Sequence, residues 1–176
     1  MQKNGVILIN TGTPQALTED AVRDFLSKML SDPMLISLPP FIWQPILKHF
    51  ILPNRPKKTI KLYERMWDDD GSVFMRVSFA QRDALADLLD QRAGEGAYQV
   101  ALSMRYSEPT ISDALSSLEA KGCTRLVIVP LYPTYARVCA GTCIKEVRRV
   151  LAEEFSQWQP EVAEVECFYD DPAYLQ

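Results

Sequence analysis

The chain has 176 residues, 47% of them apolar and 24% charged, enough for one domain with a substantial core. Its net charge of −4 and pI of about 5.1 argue against a nucleic-acid binder, whose footprint is basic. No apolar run reaches the roughly 18 residues that span a bilayer, and the run after Met1–Asn4 is about six residues long, shorter than a signal peptide's core, so a cytoplasmic location is expected.

Gly5-Val6-Ile7-Leu8-Ile9-Asn10 reads as a buried strand that runs straight into a turn, Thr11-Gly12-Thr13-Pro14. In open parallel sheets ligands bind just outside the carboxyl ends of strands, so this turn is the first place to look for chemistry. Thr18-Glu19-Asp20 caps a helix through Val22, Phe25, Leu26, Met29 and Leu30. Residues 34–52 then combine Pro39, Pro40 and Pro45 with Phe41, Ile42, Trp43, Ile46, Leu47, Phe50 and Ile51. Proline removes backbone donors, so short helical pieces joined by kinks are expected here. This apolar excursion has two readings: a subdomain packed on the core, or an exposed lip for a flat hydrophobic ligand or a membrane surface.

Asn54-Arg55-Pro56-Lys57-Lys58 reads as a solvated basic loop, followed by a helix through Ile60, Leu62, Tyr63 and Met66. Asp68-Asp69-Asp70-Gly71-Ser72 reads as a turn, and Val73 to Leu89 as a long helix. Taken alone, Tyr63 is a core-facing helix residue and Ser72 a turn residue. Tyr98–Ser103, Arg125–Pro130 and Val162–Phe168 complete a set of four strands. Between them lie a helix opened by Ser107-Glu108-Pro109-Thr110 and one through Ile144, Val147, Val150, Leu151 and Phe155. The pattern predicts a single α/β domain over 1–176, a doubly wound, mostly parallel four-stranded sheet with flanking helices and the excursion at 34–52. The four cysteines are expected to be free thiols, Cys123 and Cys167 as small core residues, with Cys139 and Cys143 too few for a metal site.

The order of local motifs resembles the amino-terminal half of the ferrochelatase family. The residues that carry the likeness are Leu8-Ile9-Asn10-Thr11-Gly12-Thr13-Pro14, Phe25-Leu26 with Leu30-Ser31-Asp32-Pro33, and Ile51-Leu52-Pro53-Asn54-Arg55-Pro56-Lys57. They continue through Tyr63, Gly71-Ser72, Met104-Arg105-Tyr106 with Pro109, Val129-Pro130-Leu131-Tyr132-Pro133-Thr134-Tyr135 and Asp170-Asp171-Pro172-Ala173-Tyr174. The resemblance implies an enzyme that inserts ferrous iron into a porphyrin in haem biosynthesis, with porphyrin and ferrous iron as substrates and no further cofactor on this chain. It implies porphyrin contacts at Thr11, Arg55, Tyr63, Ser72 and Tyr135, with Arg55 holding a propionate. A guanidinium can bind a carboxylate through two parallel bonds, and apolar walls suit the macrocycle.

In the same family the catalytic histidine lies in a Ser-X-His-Gly-X-Pro-like turn, with a glutamate further on, both in the second half. The one histidine here, His49, matches neither, so the resemblance implies no catalytic or metal-ligating residue within these 176 residues and no metal insertion by them alone. The family's Gly-Ser-Pro is Gly71-Ser72-Val73 here, the leucine before its Gly-Thr-Pro is Thr11, and its Pro-Gln-Tyr-Ser turn is Pro133-Thr134-Tyr135-Ala136-Arg137. A non-catalytic porphyrin- or haem-binding module is the alternative. A small single-domain chelatase ranks below it, because such proteins carry a metal-binding histidine near the first strand turn and Thr11–Pro14 has none. A nucleotide-binding protein is excluded by the lack of a Gly-rich loop after any strand. Expected partners are porphyrin or haem, a membrane touched peripherally by the excursion on its inner face, and a second copy through surface that a second half would cover; nucleic acid is not expected.

Overall fold

The near-continuous apolar run at the start of the chain becomes the second strand of a four-stranded sheet in the computed structural model, which describes residues 3–175. These residues fall into two compact units. One holds the chain up to Thr11, Ser78–Arg105 and the chain from Pro109 onward; the other holds Gly12–Val77 and Tyr106–Glu108.

In the first unit β1 (Asn4–Asn10) pairs in parallel with β4 (Tyr98–Met104) on one side and β5 (Arg125–Pro130) on the other, and β6 (Glu161–Glu164) adds in parallel to β5. With α4 (Val73–Ala93), α5 (Ile111–Ala120) and α6 (Thr142–Glu154) as crossovers, the order β4-β1-β5-β6 is the doubly wound α/β fold that the sequence pattern predicts. α5 begins at a capping box: the Thr110 hydroxyl accepts from Asp113 N, and the Asp113 carboxylate accepts from Thr110 N. Pro109 therefore lies just outside the helix rather than in its first turn. Gly122, at φ +73°, turns the chain out of α5 in the left-handed region that glycine occupies without strain. The core between the sheet and α5 and α6 is built on Ile7, Ile9, Leu115, Leu118, Leu126, Ile128 and Val147. Full burial of each such side chain stabilises the fold by roughly 1.5–3 kcal/mol.

The last strand is shorter than its alternating pattern predicts. β6 stops at Glu164 and the ladder ends with Val165 N donating to Ile128 O at 2.9 Å, because the next bond of the ladder would need an N–H at Pro130, which proline lacks. Cys167 is consequently exposed, not a core residue, whereas Cys123 and Cys143 are buried and Cys139 half-buried; all four are free thiols.

The second unit begins with α1 (Glu19–Leu30), capped by the Thr18 hydroxyl, which accepts from Ala21 N. Val22, Leu26 and Leu30 pack with Leu47 and Leu52, and Trp43, Ile51, Ile60 and Tyr63 close around them. The excursion forms α2 (Pro40–Ile46), with Pro45 inside it, followed by a π-helical turn Leu47–Ile51, then α3 (Arg55–Tyr63). The basic segment read as a loop is thus the start of a helix: Pro56 sits in its first turn, where a missing N–H costs nothing. A short antiparallel hairpin, β2 (Trp67–Asp68) and β3 (Gly71–Ser72), leads into α4. Among the described residues no helix is long and apolar enough to cross a membrane.

Candidate functional site

The first unit gathers polar side chains at the carboxyl ends of β1, β4 and β5. Thr11 N donates to Asn10 Oδ1 at 2.8 Å, and the Thr11 hydroxyl is hydrogen-bonded to the Tyr132 hydroxyl, just past β5. Burial drives the Tyr132 phenol far above the ordinary tyrosine range, and the neighbouring Cys143 pushes it the same way. Arg105, at the end of β4, donates from its backbone N to Asn10 O at 2.8 Å and from Nε to Thr142 Oγ1 at 3.1 Å. Tyr135 is 52% exposed, and a Cβ built on Gly141 would stand 2.9 Å from its hydroxyl. Glycine at 141 leaves room for that phenol.

Tyr132 also makes the fold pH-sensitive on the alkaline side. Its phenol ionises more readily in the unfolded chain, near pH 10, than in the native one, so above that pH the unfolded state binds fewer protons and stability falls. Tyr63, whose pKa burial also raises, adds to the same decline. Replacing Tyr132 by phenylalanine is expected to cost about 1 kcal/mol at neutral pH, from the lost bond to Thr11, and to flatten the fall in stability between about pH 9 and 12. Denaturant unfolding at several pH values checks both effects.

In the second unit Arg55 opens α3 and Lys58 follows one turn later on the same side. With Phe50, Ile51 and Asn54 they line an open cleft of about 290 Å³. Tyr63 is half-buried, its ring edge-on to Phe25 at 6.1 Å, and Phe25 meets Tyr106 edge-on at 6.5 Å. Ser72 is buried, and its hydroxyl accepts from Met75 N at 3.4 Å, so it caps α4. The hairpin that carries it is tied to α4 by the two parallel bonds of Arg76 to Asp68, which hold the Asp68 carboxyl below the usual range. Of the five residues expected to contact porphyrin, Arg55, Tyr63 and Ser72 belong to this unit and Thr11 and Tyr135 to the other. Only Arg55 lines the cleft.

The excursion has one packed face and one exposed face. Leu47 is fully buried and Trp43 donates from Nε1 to Leu30 O at 2.6 Å, while Phe41 and Phe50 stand 79% and 72% exposed. His49 lies on the exposed π-helical turn. The described residues contain no group of three or more His, Cys, Asp or Glu placed to hold a metal ion. The role of Lys58 and two long-range hydrogen bonds were not read from the sequence. Lys58 had a readable signal in its spacing of three from Arg55, whereas the Thr11–Tyr132 and Asp32–Tyr106 bonds join residues far apart in the chain and left none.

The four-stranded parallel sheet of the first unit, wound in both directions from β1, makes this a doubly wound α/β protein. The ferrochelatase family model matches residues 3–176, and the chain belongs to that family. It is similar to the ferrochelatase of Aromatoleum aromaticum, 40% identical over 176 residues, which span 99% of this chain and 47% of that protein. It is also similar to the ferrochelatase of Azoarcus sp., at 37% identity over 98% of this chain and 46% of the relative, and to "Ferrochelatase 2" of Shewanella oneidensis, at 36% identity over 98% and 52%. The chain spans about half the length of the curated relatives it matches.

Proposed function

We propose that these residues form the porphyrin-holding part of a ferrochelatase, the enzyme that inserts ferrous iron into a porphyrin at the end of haem synthesis, as one α/β domain that carries the excursion as an insertion. The observation that carries this reading is the cleft of Phe50, Ile51, Asn54, Arg55 and Lys58 beside the exposed lip of Phe41 and Phe50. A porphyrin is a flat apolar disc with carboxylates along one edge. Phe50 and Ile51 suit the disc, and the two cations suit a propionate, Arg55 by a bidentate grip and Lys58 as a point charge. Thr11, Tyr63, Ser72 and Tyr135 are proposed as the remaining porphyrin contacts. The same lip is proposed to touch the inner face of a membrane peripherally, with the chain otherwise cytoplasmic; Lys48, Lys57 and Lys61 on the neighbouring turns favour anionic headgroups.

Insertion removes two pyrrole protons, so it requires a base close to the ring nitrogens. His49, the one histidine in the sequence, is exposed in the π-helical turn and is no candidate for that base. These residues are therefore proposed to bind porphyrin without metallating it. On that account a non-catalytic porphyrin- or haem-binding module remains the second reading. Titration with a dicarboxylate porphyrin is expected to shift its Soret band, and Arg55→Ala is expected to weaken binding about tenfold, the equivalent of one lost charge-assisted contact. Steady-state insertion of ferrous or zinc ion should be undetectable. Turnover at or above about 1 per second would show that the catalytic base lies within these residues.

A further inference from the structure

The carboxyl end of α6 builds a second cleft in the first unit, at the opposite end of the sheet from the turn that holds Thr11. Phe155 leaves helical geometry at φ −122° and ψ 37°, and its N–H donates to Leu151 O at 3.2 Å. Trp158 N then donates to Phe155 O at 2.9 Å, a tight turn that sets the two rings edge-on at 6.3 Å. Pro160 follows and leads straight into β6. Leu151, Phe155, Trp158 and Pro160 wall an open cleft of about 370 Å³, near the lower end of the range for small-molecule sites.

The indole is mounted the reverse of the usual way. A half-buried tryptophan ordinarily buries its rings and keeps its N–H in water. Here Nε1 donates to Cys123 O at 2.8 Å, and Cys123 belongs to the core on which Phe155 and Trp158 pack. The bond fixes the ring in advance of any ligand, and what Trp158 offers the cleft is hydrocarbon.

One charged residue lines the same cleft. Arg148 stands one turn before Leu151 and Ala152 on α6, hence on the same side of the helix. Its Nε donates to the Glu164 carboxylate of β6, which holds the guanidinium beside the walls. Among the described residues the guanidinium makes no other hydrogen bond, so both terminal nitrogens are left to solvent.

Apolar walls beside a guanidinium with an unused edge suit an aromatic carboxylate. The ring packs on the walls, and the carboxylate accepts two parallel bonds from the terminal nitrogens. Glu164 offsets part of the guanidinium's charge, which favours a single carboxylate over a phosphate dianion. The volume suits one or two fused rings rather than a macrocycle.

We propose that the cleft at the end of α6 is a binding site for a small aromatic monocarboxylate, held by Arg148 against Phe155 and Trp158. The site shares no residue with the cleft at Arg55 and does not depend on the porphyrin reading.

The test is titration of this chain with naphthoate, read by NMR at the indole N–H signals of its three tryptophans. The Trp158 signal is assigned by its loss in Trp158→Phe. It is expected to move saturably, half-complete at or below about 1 mM, while those of Trp43 and Trp67 stay in place. Arg148→Gln should weaken binding about tenfold, the equivalent of one lost charge-assisted contact. Ala152 is exposed and lines the cleft, so Ala152→Phe should keep the fold, fill the space and abolish binding. Arg55→Ala should leave naphthoate binding unchanged, and its loss there would place the ligand in the other cleft and overturn the proposal. No saturable movement at Trp158 overturns it, as does tighter binding of naphthylmethylammonium, which would assign the cleft to cations. Equal affinity for the neutral naphthamide, or undiminished binding by Arg148→Gln, would show that the walls act without the guanidinium and overturns it as well.

Discussion

Replacing Leu47 by alanine is expected to lower the unfolding free energy by about 2–5 kcal/mol, the usual cost of a large-to-small change at a fully buried site. Leu47 is the one residue of the π-helical turn with no exposure, and it packs with Val22, Leu26, Leu30 and Leu52. The proline-broken path of the excursion offers few regular backbone bonds to absorb the cavity, since Pro39, Pro40 and Pro45 donate none. The loss should therefore appear as local unfolding of the second unit at lower urea concentrations, read by the fluorescence of Trp43, which packs against the same cluster. Phe50, three residues on, is 72% exposed, and its replacement by alanine should change stability by no more than about 0.5 kcal/mol. Together the two variants divide the excursion into an anchored face and a free one. If Leu47→Ala proves as mild as Phe50→Ala, the excursion is not anchored through this side chain. Phe50→Ala should instead weaken porphyrin binding, since its ring lines the cleft beside Arg55.

The parts of this molecule that were legible in the sequence are those whose signal is local. The run Gly5–Asn10 could be read as a parallel strand because both of its faces are covered and its apolar character is unbroken. The capping residue Thr18 could be read because a hydroxyl ahead of an amphipathic pattern satisfies free backbone donors, whereas the start of α5 was read over Ser107–Thr110 and its cap is Thr110 itself. The same rule, applied to Ser72 ahead of Val73, would have identified the cap that its hydroxyl forms on α4. The end of β6 was not legible: Val162–Phe168 alternates well, but the ladder to β5 stops where its next donor would be Pro130, which has no N–H. Nor did the basic segment at 54–58 declare its conformation, since charge is compatible with both loop and helix. Of the candidate site, Arg55 was found through motif order and Lys58 only through the helix that places it one turn later. The hydroxyl pair Thr11–Tyr132 spans 121 residues of chain, and no local pattern encodes such a meeting.

Removal of the Asp32 carboxylate is the second large effect expected. Asp32 is 5% exposed and serves two donors at once: Oδ1 accepts from Met34 N at 2.7 Å and Oδ2 from the Tyr106 hydroxyl at 2.7 Å. The first bond fixes the turn at which α1 gives way to the excursion. The second ties that turn to a residue 74 positions away, whose ring rests against Phe25. Asp32→Ala leaves both donors without their acceptor inside the second unit. At roughly 1–3 kcal/mol for each buried donor left unsatisfied, the expected loss is about 2–6 kcal/mol. Tyr106→Phe keeps the ring contact and removes the bond to Asp32, so it should cost about 1–2 kcal/mol. Because the two residues share an interaction, the double variant Asp32→Ala, Tyr106→Phe should lose at least about 0.5 kcal/mol less than the sum of the single losses, a coupling that urea unfolding of the four proteins measures. Strict additivity would mean that the bond contributes nothing to holding the turn. Positive coupling would explain in physical terms why Leu30-Ser31-Asp32-Pro33 and Met104-Arg105-Tyr106 occur in one chain: the buried phenol and carboxylate close the second unit at the point where the apolar lip begins.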